Sequence, residues 1–157
     1  MNFDDYNAIV RRRYEYALGI DTRDWGLFRN IFTDEITVDF SSYNGQPVAK
    51  MAADAWVRGC EVLFTGLDAT QHVMSNPMVD IDGKRARCRM YMKAEHFLIN
   101  DQGNDDFTLG GYYYDQLVKT TEGWKIEAVT LNVFWNRGNR HIMDLATEIG
   151  RKRLSAE

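Results

Sequence analysis

Three ionisable side chains stand where chemistry is possible: Asp21 in ALGIDTRDW, His72 in DATQHVMSN and His96 in MKAEHFL. A buried imidazole beside a carboxylate is an effective base near neutral pH, because the acid fixes the tautomer and stabilises the imidazolium formed on proton capture. With unperturbed values of about 3.9 for Asp and 6.5 for His, modest environmental shifts tune such a pair. A second histidine across a cavity could supply the acid. Base on one side and acid on the other is the minimum equipment for an elimination.

Each of the three also has a plain structural role open to it. Asp21 followed by Asp24 fits a helix N-cap with an acid in the first turn. His72 fits a strand histidine satisfied by backbone groups, on a strand without clean alternation. A lone inward His96 fits core packing. Other chemistries find less support. There are only three histidines, and His141 falls on a terminal helix, so no metal-binding spacing emerges and no metal or cofactor is expected. Gly110-Gly111 starts a strand and reads as close packing or curvature, not as a phosphate loop. No serine or cysteine stands in a recognisable nucleophile motif. Periodicity alone leaves the function open.

The elements that must position these groups are helical first and extended afterwards. Tyr6, Val10, Tyr14, Ala17 and Leu18 form a stripe at three- and four-residue spacing that continues into Asp21. TRDWGLFRNIF predicts a second helix, ITVDF (36–40) a short strand, and KMAADAWVRGCEVLF (50–64) a third helix. From about residue 69 the pattern changes to long strands separated by Asp82-Gly83, NDQGNDD and Glu122-Gly123. The strand from Lys84 to Leu98 alternates cleanly. Ala86, Cys88, Met90, Met92, Ala94, His96 and Leu98 face one way, and the arginines, Tyr91, Lys93 and Glu95 the other. HIMDLATEIGRKRL predicts a C-terminal helix. The order implies an α+β domain whose twisted, mostly antiparallel sheet curls around the helices and leaves a cavity.

The chain has 157 residues, 45% hydrophobic and 13% aromatic, enough for one sizeable core, and the expectation is a single domain over 1–157. A formal charge of −4 speaks against a nucleic-acid partner. Arg11-Arg12-Arg13 and Arg151-Lys152-Arg153 read as solvated helix faces. Cys60 and Cys88 lie far apart and form no disulfide framework, which suits a cytoplasmic location. No apolar run is long enough to span a bilayer, so no membrane is expected.

YEYALGIDTRDW, TQHV, the strand with KAEHF, and GGYYYDQLVKTTEGWKIEAVTLNVFW together resemble the scytalone dehydratase and SnoaL-like branch of the nuclear transport factor 2 (NTF2)-like superfamily, across nearly the whole chain. The resemblance implies a cone-shaped domain around a deep pocket, with N-terminal helices packed on a strongly curved mixed sheet. It implies Asp21 orienting His72, His96 as the second histidine, and Tyr16 at the tyrosine position of bile-acid dehydratases. The departures are as informative. The two tyrosines with which scytalone dehydratase polarises its substrate match Ile20 and Phe40, which cannot donate hydrogen bonds. Its pocket serine and asparagine match Gly111 and Tyr113, and the arginine of bile-acid dehydratases falls on Val133. Replacement donors are Tyr43, Tyr112, Tyr113, Tyr114, Asn132 and Trp135. Alternation lets only Tyr113, or only Tyr112 and Tyr114, look inward. Phe32, Phe40, Trp56 and Met74 are the apolar candidates for the lining.

The activity implied is a cofactor-independent lyase on a small aromatic or polycyclic substrate. It would be a dehydratase, or an aryl-diol lyase releasing formaldehyde. An isomerase or cyclase of ketosteroid-isomerase type, and a non-catalytic assembly subunit like the small subunit of aromatic-ring dioxygenases, are the alternatives. The same resemblance implies a homo-oligomer, dimer or trimer.

Overall fold

The computed structural model describes residues 2–156, so both end residues of the expected domain lie outside the described part. In chain order the elements are α1 (Phe3–Thr22), α2 (Trp25–Asn30), β1 (Phe32–Asp39), α3 (Ser41–Asn44), β2 (Ala49–Ala52) and α4 (Ala53–Gly66). These are followed by β3 (Ala69–Asp82), β4 (Arg85–Phe97), β5 (Asp106–Thr120), β6 (Gly123–Gly138) and α5 (Ile142–Ser155). The strands form one six-stranded sheet in the order β2-β1-β6-β5-β4-β3. All neighbours are antiparallel except β1 and β6, which makes the sheet mixed. The α+β architecture, with helices packed on a curved mixed sheet, is the one the sequence predicts.

Helix α1 starts at Asn2, whose side chain accepts the Asp4 N–H at 3.0 Å, and carries Asp4 and Asp5 in its first turn, where the helix dipole favours acids. Its buried face is Ile9, Val10, Arg13, Tyr16, Ala17 and Ile20. The expected stripe is therefore turned: Tyr14 and Leu18 are 48% and 54% exposed. The true inward face looked polar in sequence because Arg13 lies on it. Arg13 is only 1% exposed and pairs with the equally buried Asp115 of β5, Nε donating to Oδ2 at 2.8 Å and Nη2 to Oδ1. The cluster Arg11-Arg12-Arg13 is thus not a wholly solvated face.

Two helix boundaries also move. The second helix is shorter than TRDWGLFRNIF, because Phe32 already pairs with β6. Residues 50–52, expected to begin the third helix, instead pair with β1 as part of the edge strand β2. The short α3 has no counterpart in the periodic pattern. Along β3 the alternation slips at Asn76, which takes φ 54 where the pairing shifts between Ser75 and Met78. This bulge is why the strand carrying His72 reads as irregular.

Helices α4 and α5 meet at glycines. A Cβ on Gly66 would collide with the Ala146 carbonyl, and one on Gly150 with the Val62 carbonyl. Gly150→Ala is expected to lower stability by about 1–3 kcal/mol through overpacking. The helix-propensity gain of about 1 kcal/mol only partly offsets this. The midpoint of urea unfolding measures the difference, and an unchanged midpoint would show that the contact is not tight.

Candidate active site

Asp21 lies in the last turn of α1, where the helix dipole disfavours an acid, and it does not cap the next helix. That cap is Asp24, whose Oδ1 accepts the Leu27 N–H at 2.9 Å. The Asp21 carboxylate is instead directed at β3. Its Oδ1 meets His72 Nδ1 at 2.7 Å and accepts the Thr70 hydroxyl at 2.9 Å, while Oδ2 accepts the His72 backbone N–H at 2.7 Å. Burial works to raise the Asp21 carboxyl, but the hydrogen bonds and charge of His72, aided by Thr70, outweigh it and hold the group below the ordinary carboxylate value. A carboxylate only accepts, so His72 donates from Nδ1, and the neutral ring carries its lone pair on Nε2. The His72 side chain is 3% exposed and forms part of the wall of an interior cavity.

His96 stands beside it, the two imidazole centroids 5.9 Å apart and nearly perpendicular. Phe64 of α4 packs against both rings. His96 Nδ1 is 3.0 Å from the Phe107 carbonyl, an acceptor, so the proton sits on Nδ1 and Nε2 is again a lone pair. Burial, with the neighbouring His72 second, pushes His96 down to about 4. The sequence expectation of a protonated His96 as acid therefore does not fit: at neutral pH this imidazole is uncharged and its only N–H is already engaged. The unfolded chain protonates His96 below its ordinary value of 6.5, whereas the folded chain resists until about 4. Its contribution to stability is thus complete above 6.5 and lost as pH falls between these two values. The full effect is about 3 kcal/mol. Urea midpoints at several pH values should fall over this window in the wild type and fall less in His96→Gln.

The cavity has a volume of about 230 Å³ and lies between α1, α4, α5 and the inner face of the sheet. Of the residues expected to bind a substrate, Tyr16, Phe40, Tyr43, Trp56 and Tyr113 line it. Tyr113 points inward opposite Leu131, with Tyr112 and Tyr114 on the other face. Tyr16 and Tyr113 hydroxyls are 3.4 Å apart, and the Arg13 guanidinium lies 4.1 and 3.7 Å from their ring centroids. Burial pushes both phenols up, so both carry their protons at neutral pH.

Three expected binding residues lie elsewhere. Met74 packs half-buried against the core without lining the cavity, and Asn132 pairs with the outward Tyr112. Trp135 is 45% exposed and its ring covers Gly110. A bulge decides the last: Gly110 pairs with Trp135 but Gly111 with Val133, leaving Phe134 as the extra residue and breaking the simple alternation along β6. Gly111 permits this approach, since a Cβ there would strike the Asn132 carbonyl. Phe32 is also buried away from the cavity, against Tyr16 and Phe28.

Sequence reasoning missed Leu63, Phe64, Leu109 and Met143 of the wall. Phe64 follows Trp56 and Cys60 at four-residue steps, a helical spacing that could have found it. Met143 carried no such signal, because only the crossing of α5 over α4 brings it there. Cys60 lines the cavity with its thiol pushed up by burial, which makes it apolar wall and not a nucleophile. No cluster of potential metal ligands occurs among the described residues, and none of the described helices is long and apolar enough to cross a membrane.

Residues 2–130 match the family profile of the SnoaL-like domain. A comparison with curated proteins gives no match. Among solved structures, the chain is similar to the Kfla4162 protein of Kribbella flavida, with 28% identity and a TM-score of 0.85 over 90% of this chain and 97% of that one. A candidate aromatic ring hydroxylase of Novosphingobium aromaticivorans shares 22% identity at a TM-score of 0.76, over 93% and 99%. A candidate scytalone dehydratase of the same organism shares 24% at 0.72, over 85% and 87%.

Proposed function

The chain belongs to the SnoaL-like branch of the NTF2-like superfamily, and on that premise we propose that it is a cofactor-independent lyase, a dehydratase acting on a small aromatic compound. The observation that carries this is the 2.7 Å contact of Asp21 with His72 Nδ1, which leaves Nε2 for a mostly apolar cavity. An assembly subunit has no need of a half-buried carboxylate placed against the helix dipole and aimed at an imidazole. The name carried by the similar scytalone dehydratase is in keeping with this chemistry.

His72 Nε2 takes a proton from the carbon next to the one bearing the leaving hydroxyl. The electron pair of the breaking carbon–hydrogen bond forms the double bond, and the carbon–oxygen pair departs with the hydroxyl. A phenol of Tyr16 or Tyr113 protonates the departing hydroxyl to water, and one net proton transfer from the imidazolium to the phenolate restores the site. The phenols take the acid role because His96 is neutral with its N–H engaged. His96 instead offers a second lone pair that can accept a substrate hydroxyl.

The volume also narrows the substrate. An apolar cavity of about 150 Å³ holds benzene, and drug-sized ligands need roughly 300–1,000 Å³. About 230 Å³ therefore favours one substituted ring over a polycyclic system. The test is a panel of single-ring β-hydroxy ketones and aryl alcohols, followed by product mass and ultraviolet absorbance. Loss of 18 mass units with a new conjugated band supports the dehydratase. Release of formaldehyde moves the same base to carbon–carbon cleavage, and a product of unchanged mass makes it an isomerase. No turnover across ligands that do bind would overturn the enzymatic reading.

A further inference from the structure

The hydrogen bonds behind Asp21 continue one residue beyond the helix. Arg23 ends α1 with φ 61, in the left-handed region where glycine or asparagine is the ordinary occupant. A long side chain there costs stability, so its contacts matter. The half-buried guanidinium Nη1 donates to the Ile20 carbonyl at 2.5 Å and to Thr70 Oγ1 at 2.9 Å. The single Thr70 hydroxyl hydrogen goes on to Asp21 Oδ1 at 2.9 Å.

The chain of bonds has only one consistent direction. Arginine can only donate, so Thr70 accepts from it and must give its own hydrogen elsewhere. The remaining partner is Asp21, which therefore stays an ionised acceptor. His72 then has to present Nδ1–H, and its Nε2 lone pair is left for the cavity. Resting on the reading of His72 as base, we infer that Arg23 is a positioning residue: through the Thr70 hydroxyl it holds the Asp21 carboxylate aimed and thereby selects the working tautomer of His72. The other charged or titratable groups around this network are few. His96 faces His72 from β4, and Asp68 shares the surface groove of Arg23 and Asp21. Neither competes for Thr70.

The experiment uses the protein alone, labelled with nitrogen-15 in histidine, and needs no substrate. The wild type should show a downfield His72 Nδ1–H resonance with slow solvent exchange. Arg23→Gly and Thr70→Val should speed that exchange by about ten- to a hundredfold, the effect of losing a hydrogen bond to a charged group. Thr70→Ser, which keeps the hydroxyl, should match the wild type. Arg23→Gly should keep or raise the urea midpoint, because glycine relieves the left-handed backbone. Wild-type exchange in Arg23→Gly, a fall in its midpoint, or Thr70→Ser behaving as Thr70→Val would each overturn the role of Arg23. Absence of the resonance from the wild type would instead remove the His72 base reading, and this inference with it.

Discussion

His72→Gln should lower turnover of any accepted substrate by about 10³-fold, within the range that a positioned general base contributes. The variant should stay folded, since glutamine keeps a polar side chain within reach of Asp21 and the strand pairing of Thr70 to Ser75 with β4 is untouched. KM should change little, because removal of the base affects the transition state and leaves the apolar wall intact. Asp21→Asn should lower turnover by about 10²–10⁴-fold for a related reason. An amide offers an N–H where the carboxylate offered a lone pair, so His72 loses the partner that keeps its proton on Nδ1. Both measurements are kcat determinations on protein whose circular dichroism matches the wild type. Turnover within threefold of wild type in His72→Gln would sink the base assignment.

Arg13→Met should be the most damaging single change to stability. It leaves Asp115, buried in the sheet core, without its charge partner, and such a loss costs about 3–5 kcal/mol. For a chain of this size that corresponds to a fall in Tm of roughly 10 °C. The double variant Arg13→Met with Asp115→Leu should recover much of the loss, because it removes the charge along with its partner. Thermal unfolding of the single and double variants decides the matter. A double variant no more stable than Arg13→Met would mean that the guanidinium stabilises chiefly through its stacking on Tyr16 and Tyr113. The same stacking sets the walls at the phenol end of the cavity, so Arg13→Met should also weaken ligand binding at temperatures where it remains folded.

The sequence by itself determined those features whose cause is local. The two-residue period from Ala86 to Leu98 put His96 on the inner face of β4, and alternation around Tyr113 separated it from Tyr112 and Tyr114. The change from helical to extended pattern near residue 69 gave the α+β class. These follow from backbone sterics and side-chain direction, which neighbouring residues settle among themselves.

What only the tertiary structure decided involves partners far apart in the chain. Asp21 meets His72 across 51 positions, and Arg13 meets Asp115 across 102. The second pair hid the inward face of α1, because a buried arginine satisfied from a distant strand has the same local signature as a solvated one. The bulge beside Gly110 shifted the pleat of β6, so Trp135 lies outside the cavity. The protonation of His96 likewise depends on burial and on an imidazole from another strand, neither of which can be read along β4. Residue type and spacing specify which chemistry is available; the low-dielectric enclosure formed when distant elements pack selects which groups carry charge and where they point.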